Sequence, residues 1–172
     1  EQGYHGVAIT CFGNADLEPA RELVNIPVVG SGLASVLLAA ALGRRFSIIG
    51  TLPAVKNRFE VEVWKAGVRE KLASIRAVNM SVLDLKRDHN ATRRAMVEQA
   101  RRAIEEDGAE VIVPGCFGMI GFAAEMQNQL GVPVVEPAGA TVRLLETMVK
   151  LGLSQSKQAY PTPPPKPRGF GF

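Results

Sequence analysis

Short apolar runs alternate with longer stretches of helical spacing along most of the chain. The apolar runs, rich in Val and Ile, predict strands over 6–10, 26–30, 46–51, 74–78, 109–113 and 133–135. The intervening stretches predict helices over 16–24, 31–42, 53–66, 90–106, 122–130 and 140–151. Regular alternation of this kind indicates parallel sheets with helices on their faces.

Polar and glycine residues mark the ends of several predicted helices. Asn14 or Asp16 is suited to cap the first helix, and Ser31 is suited to cap the second. Gly108 follows the longest helical stretch, and glycine commonly ends a helix at that position. The single tryptophan, Trp64, falls within a predicted helix and is expected to pack there.

Composition limits the classes of function. The 172 residues suffice for one sizeable core or two small linked lobes, and 47% hydrophobic with 22% charged residues is ordinary for a soluble globular protein. The formal net charge is +3, but acidic residues follow Arg101 and Arg102 at once, and no basic stripe with interleaved aromatic residues occurs. We therefore expect no nucleic-acid partner.

The apolar runs are too short to span a membrane. The longest, 33–42, falls well below the roughly 18 residues that a bilayer requires. No signal-peptide pattern is found, so we expect a cytoplasmic protein without membrane association. Because the chain opens at Glu1 and enters an apolar strand almost at once, we also expect an N-terminal segment to be missing from this sequence.

The chain contains two cysteines and two histidines. Two widely spaced cysteines do not make a disulfide framework. They also cannot form a zinc site alone, and His5 and His89 lie far apart without ligand spacing around them. We therefore expect no metal ion.

A short repeat surrounds the two cysteines. The segment Cys11-Phe12-Gly13 recurs as Cys116-Phe117-Gly118, each time following an apolar strand. A helix and a second apolar strand come next, with Pro27 16 positions after the first cysteine and Pro133 17 positions after the second. Two copies of one unit indicate two pseudo-symmetric lobes. If the lobes face each other, the two thiols face each other across a cleft.

A structural role for the cysteines is the alternative to a functional one. Free cysteines are often small buried hydrophobic residues, and a repeat also follows from gene duplication alone. Duplication does not explain why the chain's only two cysteines fall at matching strand ends, where ligands gather in parallel sheets. We therefore favour function for Cys11 and Cys116.

Several longer segments together point to a protein family more specifically than the repeat does. They are GVAITCFG at 6–13, LGRRFSII at 42–49, EDGAEVIVPGC at 106–116, and a closing segment at 153–165. In these segments the chain resembles the aspartate/glutamate/hydantoin racemase superfamily, and within it most closely the hydantoin and allantoin racemases. The resemblance covers Gly3 to about Lys166, nearly the whole chain.

The resemblance implies an α/β fold of two pseudo-symmetric lobes. Each lobe is a mainly parallel sheet flanked by helices, and the active site lies in the cleft between the lobes. Residues 1–30 and 138–172 are assigned to lobe I, whose N-terminal part is absent from the chain. Residues 31–137 are assigned to lobe II, and 154–172 to an extended proline-rich tail.

The resemblance also implies a racemase that works without a cofactor or metal. Cys11 and Cys116 match the two catalytic positions of the family. Amino-acid racemases of the superfamily tend to place Asn or Thr directly after each cysteine, where this chain has Phe12 and Phe117. This departure favours a neutral cyclic amide, a 5-substituted hydantoin or allantoin, over aspartate or glutamate as the small-molecule substrate.

The expected mechanism uses one thiolate to remove the α-proton and the opposite thiol to reprotonate the planar intermediate. A helix beginning just after each cysteine is expected to lower the thiol pKa towards neutral. Gly13 and Gly118 are expected to let the backbone approach the substrate, with nearby N–H groups holding the oxyanion, although plain turn geometry is an alternative.

Three further residues are candidates for substrate contact. Phe12 and Phe117 either line the pocket or belong to the core. Thr51 ends a predicted strand, where its hydroxyl is placed to bond an amide oxygen of the substrate.

Other functions stay open at this point. A thiol-dependent decarboxylase needs one cysteine to protonate its product, and a cis–trans isomerase uses one as a nucleophile. A non-catalytic small-molecule binding protein is the alternative from a different class, because two-lobed α/β folds also serve as receptors. A symmetric homo-oligomer is expected from general base rates.

Overall fold

The computed structural model describes residues 3–165, in which strands and helices alternate. The strands are β1 (Val7–Ile9), β2 (Val28–Gly30), β3 (Phe46–Gly50), β4 (Leu72–Ala77) and β5 (Val111–Pro114). The α-helices are α1 (Leu17–Leu23), α2 (Ser31–Leu42), α3 (Lys56–Lys65), α4 (His89–Asp107), α5 (Ala123–Leu130) and α6 (Pro137–Lys150). The predicted strand over 133–135 is reduced to a single bridge between Val134 and Ile112.

The strands form two parallel sheets. β1 pairs with β2, and a separate sheet has the order β4-β3-β5. The predicted fold class, α/β with mainly parallel sheets flanked by helices, is therefore confirmed. β3 and β5 are buried along their whole length, which explains why their sequences read as continuous apolar runs rather than as alternating ones.

Successive side chains of the central strands enter two different hydrophobic clusters. Val111 and Val113 of β5 pack on one face of the sheet with Phe46 and Ile48 of β3. Ile112, which lies between the two valines, packs on the other face with side chains from α4. This alternation is the period-two geometry of a strand, and it fixes the register of the sheet.

The two cysteine-containing repeats have the same backbone pairing. The residue four positions before each cysteine pairs in parallel with the residue after the proline, Val7 with Val28 and Ile112 with Val134. The N–H of that residue donates to the proline carbonyl at 2.9 Å in the first repeat and 3.0 Å in the second. α2 and α6 each begin four positions after the proline and pack against each other. The sequence repeat is therefore also a structural repeat.

The predicted cap of the second helix is wrong, and that of the first is only partly right. Ser31 is the first residue within α2 rather than its cap, and its buried hydroxyl has no hydrogen-bond partner among the described residues. Asp16 occupies the cap position of α1 without a capping side-chain bond. Asn14 caps α2 instead of α1, because its Oδ1 accepts from the N–H groups of Gly32 at 3.1 Å and Leu33 at 3.3 Å.

Trp64 lies on α3, but the prediction that it packs there is wrong. Its side chain is 70% exposed. The buried face of α3 is formed by Phe59 and Val63, which are four positions apart and so lie on one side of the helix. Trp64 stands well outside that face.

The segment 154–160 forms a turn that docks against the first repeat. The Oε1 of Gln155 accepts from the N–H of Val28 at 2.8 Å, and its Nε2 donates to the carbonyl of the same residue at 3.1 Å. Lys157 donates to two carbonyls near the end of α1, at 2.9 and 2.8 Å. The extended conformation predicted from residue 154 onward is therefore wrong for this turn, and residues 166–172 of the predicted tail lie outside the described residues.

Replacing Gln155 with leucine is expected to lower the free energy of unfolding by about 2 kcal/mol, because the N–H of the buried Val28 loses its partner. Urea unfolding followed by circular dichroism measures this change. Gln158→Leu, at an exposed position in the same turn, is the matched control and should leave stability unchanged. Equal stability of both variants would show that the turn does not dock as described.

Candidate active site

Both cysteines follow the carboxyl ends of parallel strands. Cys11 comes two positions after β1, and Cys116 comes two positions after β5. The Cys11 side chain is exposed, the Cys116 side chain is half-buried, and neither forms a disulfide. Small molecules bind at this edge of open α/β sheets, so the loops that carry the two thiols are the candidate site.

The two thiols lie within electrostatic reach of each other. Burial is the largest cause of a rise in the pKa of Cys116, and repulsion from a thiolate at Cys11 adds to it. The N–H of Gly118, which donates to the Cys116 Sγ at 3.3 Å, and the charge of Lys86 act in the opposite direction. The net effect holds Cys116 in its protonated form over a wider pH range than a free thiol.

The expectation that a helix start lowers the pKa of the second thiol is therefore wrong for Cys116. A single 3-10 turn, Phe117–Met119, comes directly after this cysteine in place of a long helix. One N–H bond from such a turn does not outweigh the loss of hydration around a half-buried sulfur. The first cysteine is also not adjacent to a helix, because α1 begins six positions after Cys11.

Lys86 is expected to modulate the reactivity of Cys116. In a Cys11→Ser background, Lys86→Met should raise the pKa of Cys116 further, because the opposing positive charge is removed. Alkylation by iodoacetamide below that pKa should then be slower, since only the thiolate reacts. Lys86→Arg keeps the charge and is the matched control. Identical pH profiles of alkylation for Lys86→Met and Lys86→Arg would contradict this assignment.

Gly118, in the turn after the second cysteine, makes its contacts within the protein. The N–H of Gly118 is directed at the Cys116 sulfur, and a Cβ at Gly118 would lie 3.0 Å from the Cδ1 of Leu85. The Phe117 side chain is half-buried, so part of its ring faces the loop surface. Its role as a pocket wall stays a prediction.

The turn after the first cysteine packs inwards. Phe12 is 4% exposed and belongs to the core, with its ring centroid 4.8 Å from that of Phe59. Gly13 is buried beneath Arg58, whose Nε would lie 2.1 Å from a Cβ at that position. The absence of a side chain at Gly13 therefore makes room for an arginine of the protein itself.

Thr51 follows β3 at the same edge of the sheet as Cys116. It is 6% exposed, and its carbonyl accepts from the N–H of Met80 at 3.1 Å. This bond ties together the loops that follow β3 and β4. The hydrogen bond predicted between the Thr51 hydroxyl and a substrate stays a prediction.

The sequence analysis considered Asn14 only as a helix cap and missed its role at the site. It also missed Arg58, Glu62 and Lys86. Asn14 donates to the Oε2 of Glu62 at 2.6 Å across 48 positions of sequence, and Arg58 contacts Gly13 across 45. Separations of this size leave no local signal. The one hint in the sequence is the residue type of Asn14, because asparagine tolerates a left-handed conformation better than most residues, and Asn14 adopts one with a φ of 47°.

Residues 3–165 contain neither a candidate metal site nor a membrane-spanning helix. No group of three or more His, Cys, Asp or Glu residues in this range is placed to hold a metal ion. No helix in the same range has both the length and the apolar character needed to cross a membrane.

Comparison with known sequences finds a matching family model and similar curated proteins. The family model described as Asp/Glu/Hydantoin racemase matches residues 1–145. The hydantoin racemase of Paenarthrobacter aurescens is 40% identical over 149 residues, 87% of this chain. The hydantoin racemase of Pseudomonas sp. (strain NS671) is 41% identical over 157 residues, 91% of this chain. The chain spans 63% of the length of each of these two curated relatives.

Comparison with solved structures finds the same fold in a protein of known structure. The crystal structure of the allantoin racemase from Pseudomonas fluorescens superposes with a TM-score of 0.94 at 40% sequence identity. The match covers 99% of this chain and 73% of that chain. The two-sheet arrangement described above is therefore shared with a racemase of known structure.

Proposed function

Because the chain belongs to the Asp/Glu/Hydantoin racemase family, we propose that it racemises a 5-substituted hydantoin or allantoin through two cysteines, without a cofactor. The observation that carries this proposal is the equivalence of Cys11 and Cys116. They occupy the same position in two structural repeats, and a negative charge on Cys11 adds to the rise in the pKa of Cys116. The similarity to hydantoin and allantoin racemases supports the substrate class.

Racemisation requires a base on one face of the α-carbon and an acid on the other. One thiolate takes the α-proton, and the electron pair of the broken C–H bond moves towards the adjacent carbonyl oxygen. The opposite thiol then donates its proton to the other face of the carbon. After one inversion the first sulfur carries the proton and the second is the thiolate, so the site is set for the opposite enantiomer. A proton must return from the first sulfur to the second, through solvent, before the same enantiomer reacts again. Proton transfer by positioned side chains contributes roughly 10²–10⁴-fold to a rate.

The electrostatics of the two thiols suits this exchange. Burial and repulsion both raise the pKa of Cys116, so the state in which Cys11 is the thiolate keeps Cys116 protonated. That state contains one acid and one base, as the reaction requires. In that state, an enantiomer whose α-proton faces Cys11 can transfer this proton to the Cys11 thiolate at once. The opposite enantiomer reacts only after a proton has moved from Cys116 to Cys11.

The substrate is proposed to be uncharged around the reacting carbon. The half-buried Phe117 follows Cys116, and an apolar ring at this position favours a neutral cyclic amide over a dicarboxylic amino acid. We also propose that residues 1–30 and 138–172 build one lobe and residues 31–137 the other. The cytoplasmic location and the homo-oligomeric state stay predictions from sequence.

Optical rotation tests this function directly. Single enantiomers of a 5-substituted hydantoin and of allantoin are incubated with the protein, and rotation should decay to zero for at least one of them. Unchanged rotation for both would contradict the proposal. Release of carbon dioxide from a substituted malonate would then favour a decarboxylase, a stable covalent cysteine adduct would favour an isomerase, and tight binding alone would favour a binding protein.

A further inference from the structure

The helix α3 holds the turn that follows Cys11. This helix connects β3 to β4 of the three-stranded sheet, whereas Cys11 follows a strand of the two-stranded sheet. Arg58, Phe59 and Glu62 fall within an arc of about 100° on the surface of α3. Each of them contacts one of the three residues that come directly after Cys11.

Arg58 holds the backbone of the turn. Its Nε and Nη2 both donate to the carbonyl of Gly13, at 3.3 and 3.0 Å. The guanidinium fills the space above this glycine, where a Cβ would meet it. Bonds from a charged donor are stronger than those between neutral groups, so this contact restrains the turn well.

Phe59 lies between the two cysteine loops. Its ring packs against Phe12, the residue after Cys11. Its Cε2 would lie 2.8 Å from a Cβ at Gly115, the residue before Cys116. One buried ring therefore separates the backbones on which the two thiols are carried.

Glu62 completes the contact through Asn14. The carboxylate accepts from the Asn14 Nδ2 at 2.6 Å, and the Oδ1 of the same asparagine accepts from the first turn of α2. The N–H of Asn14 donates to the carbonyl of Cys11 at 2.8 Å. The turn is thereby fixed to two helices at once, although the Cys11 side chain itself stays exposed.

We propose that Arg58, Phe59 and Glu62, here called the α3 clamp, set the distance between the two thiols, with Arg58 as a positioning residue. This role rests on the proposed two-thiol racemisation. A proton must pass from a sulfur to carbon on each side of one substrate plane, so both sulfurs need fixed positions. A shift of about 1 Å in such a geometry can lower a rate by about 10²-fold.

Arg58→Ala tests the clamp, because the side chain is exposed and its loss should not prevent folding. The expected result is a kcat lower by about 10- to 100-fold with KM unchanged, since the substrate site is kept but the thiols are misplaced. Arg58→Lys should restore part of the rate, because an ammonium can still donate to the Gly13 carbonyl. Lys65→Ala, which removes an exposed α3 ion pair with Glu18, is the matched control and should leave kcat unchanged.

A second measurement reports thiol spacing without catalysis. Phenylarsine oxide condenses with two nearby thiols to form two As–S bonds and one water, and the doubly bound product is detected by mass. Arg58→Ala and Glu62→Gln should both weaken this bridging. Alkylation of each thiol alone by iodoacetamide should keep its rate, because neither thiol loses its own surroundings.

The outcomes separate the clamp from the function. Weaker bridging together with a lower kcat supports the α3 clamp. Weaker bridging in a protein that racemises nothing would support the clamp and contradict the proposed function. Unchanged bridging and unchanged kcat in both variants, in a protein that does racemise, would overturn the clamp and leave the function standing.

Discussion

Serine in place of Cys11 or of Cys116 is expected to lower the rate of racemisation by about 10²–10⁴-fold, because a hydroxyl is a poor replacement for a thiolate base. Both substitutions should be equally severe. Each thiol acts once as acid and once as base in a complete racemisation, so neither can be spared. The rate is measured as the initial loss of optical rotation for each enantiomer.

Folding should not explain this loss. Cys11 is exposed and makes no disulfide, and Cys116 is half-buried with one bond from the N–H of Gly118. Serine has nearly the same shape and can accept the same bond. Urea unfolding of both variants should therefore stay within about 1 kcal/mol of the parent protein. A variant that unfolds early would not count as evidence for catalysis, whereas a well-folded variant with full activity would exclude that cysteine from the mechanism.

Gly32→Ala is expected to lower the free energy of unfolding by about 3 kcal/mol, because a Cβ at this position would lie 2.0 Å from the carbonyl oxygen of Phe12. That oxygen belongs to the backbone, so it cannot rotate away as a side chain would. Either α2 or the turn after Cys11 must move. The N–H of Gly32 would then also lose its bond to Asn14, and kcat should fall together with stability.

The matched control for this substitution is Gly139→Ala. Gly139 lies in the first turn of α6, the helix equivalent to α2 in the second repeat. A Cβ at this position would come no closer than 3.8 Å, to the Glu136 Oε2. Alanine is therefore expected to raise the free energy of unfolding by about 0.5 kcal/mol. Equal effects of the two substitutions in urea unfolding would contradict the close packing of α2 on the first cysteine turn.

Most elements of this fold are encoded locally. The apolar runs predicted β3 and β5 close to their observed positions. Gly108 correctly predicted the end of α4. The helix ends were less predictable, because caps depend on geometry that spacing does not contain. The helix α6 begins at Pro137, three residues earlier than predicted, because proline fits the first helical turn.

The surroundings of the cysteines depend on tertiary packing. The repeat identified both strand ends, and their equivalent register supports that inference. The direction in which each turn packs was not available from sequence. Phe12 packs in the core against Phe59, which is 47 positions away in sequence. Phe117 lies on a short 3-10 turn and is only half-buried. Two identical tripeptides therefore have different environments.

Hydrogen exchange at the α-carbon tests the two-thiol mechanism most directly. Each enantiomer is incubated in deuterated water with Cys11→Ser and with Cys116→Ser, and deuterium uptake and optical rotation are followed together. The mechanism predicts that each variant exchanges the α-proton of one enantiomer only, without loss of rotation, and that the two variants select opposite enantiomers. Loss of rotation that survives both substitutions, or exchange of the same enantiomer by both variants, would contradict it.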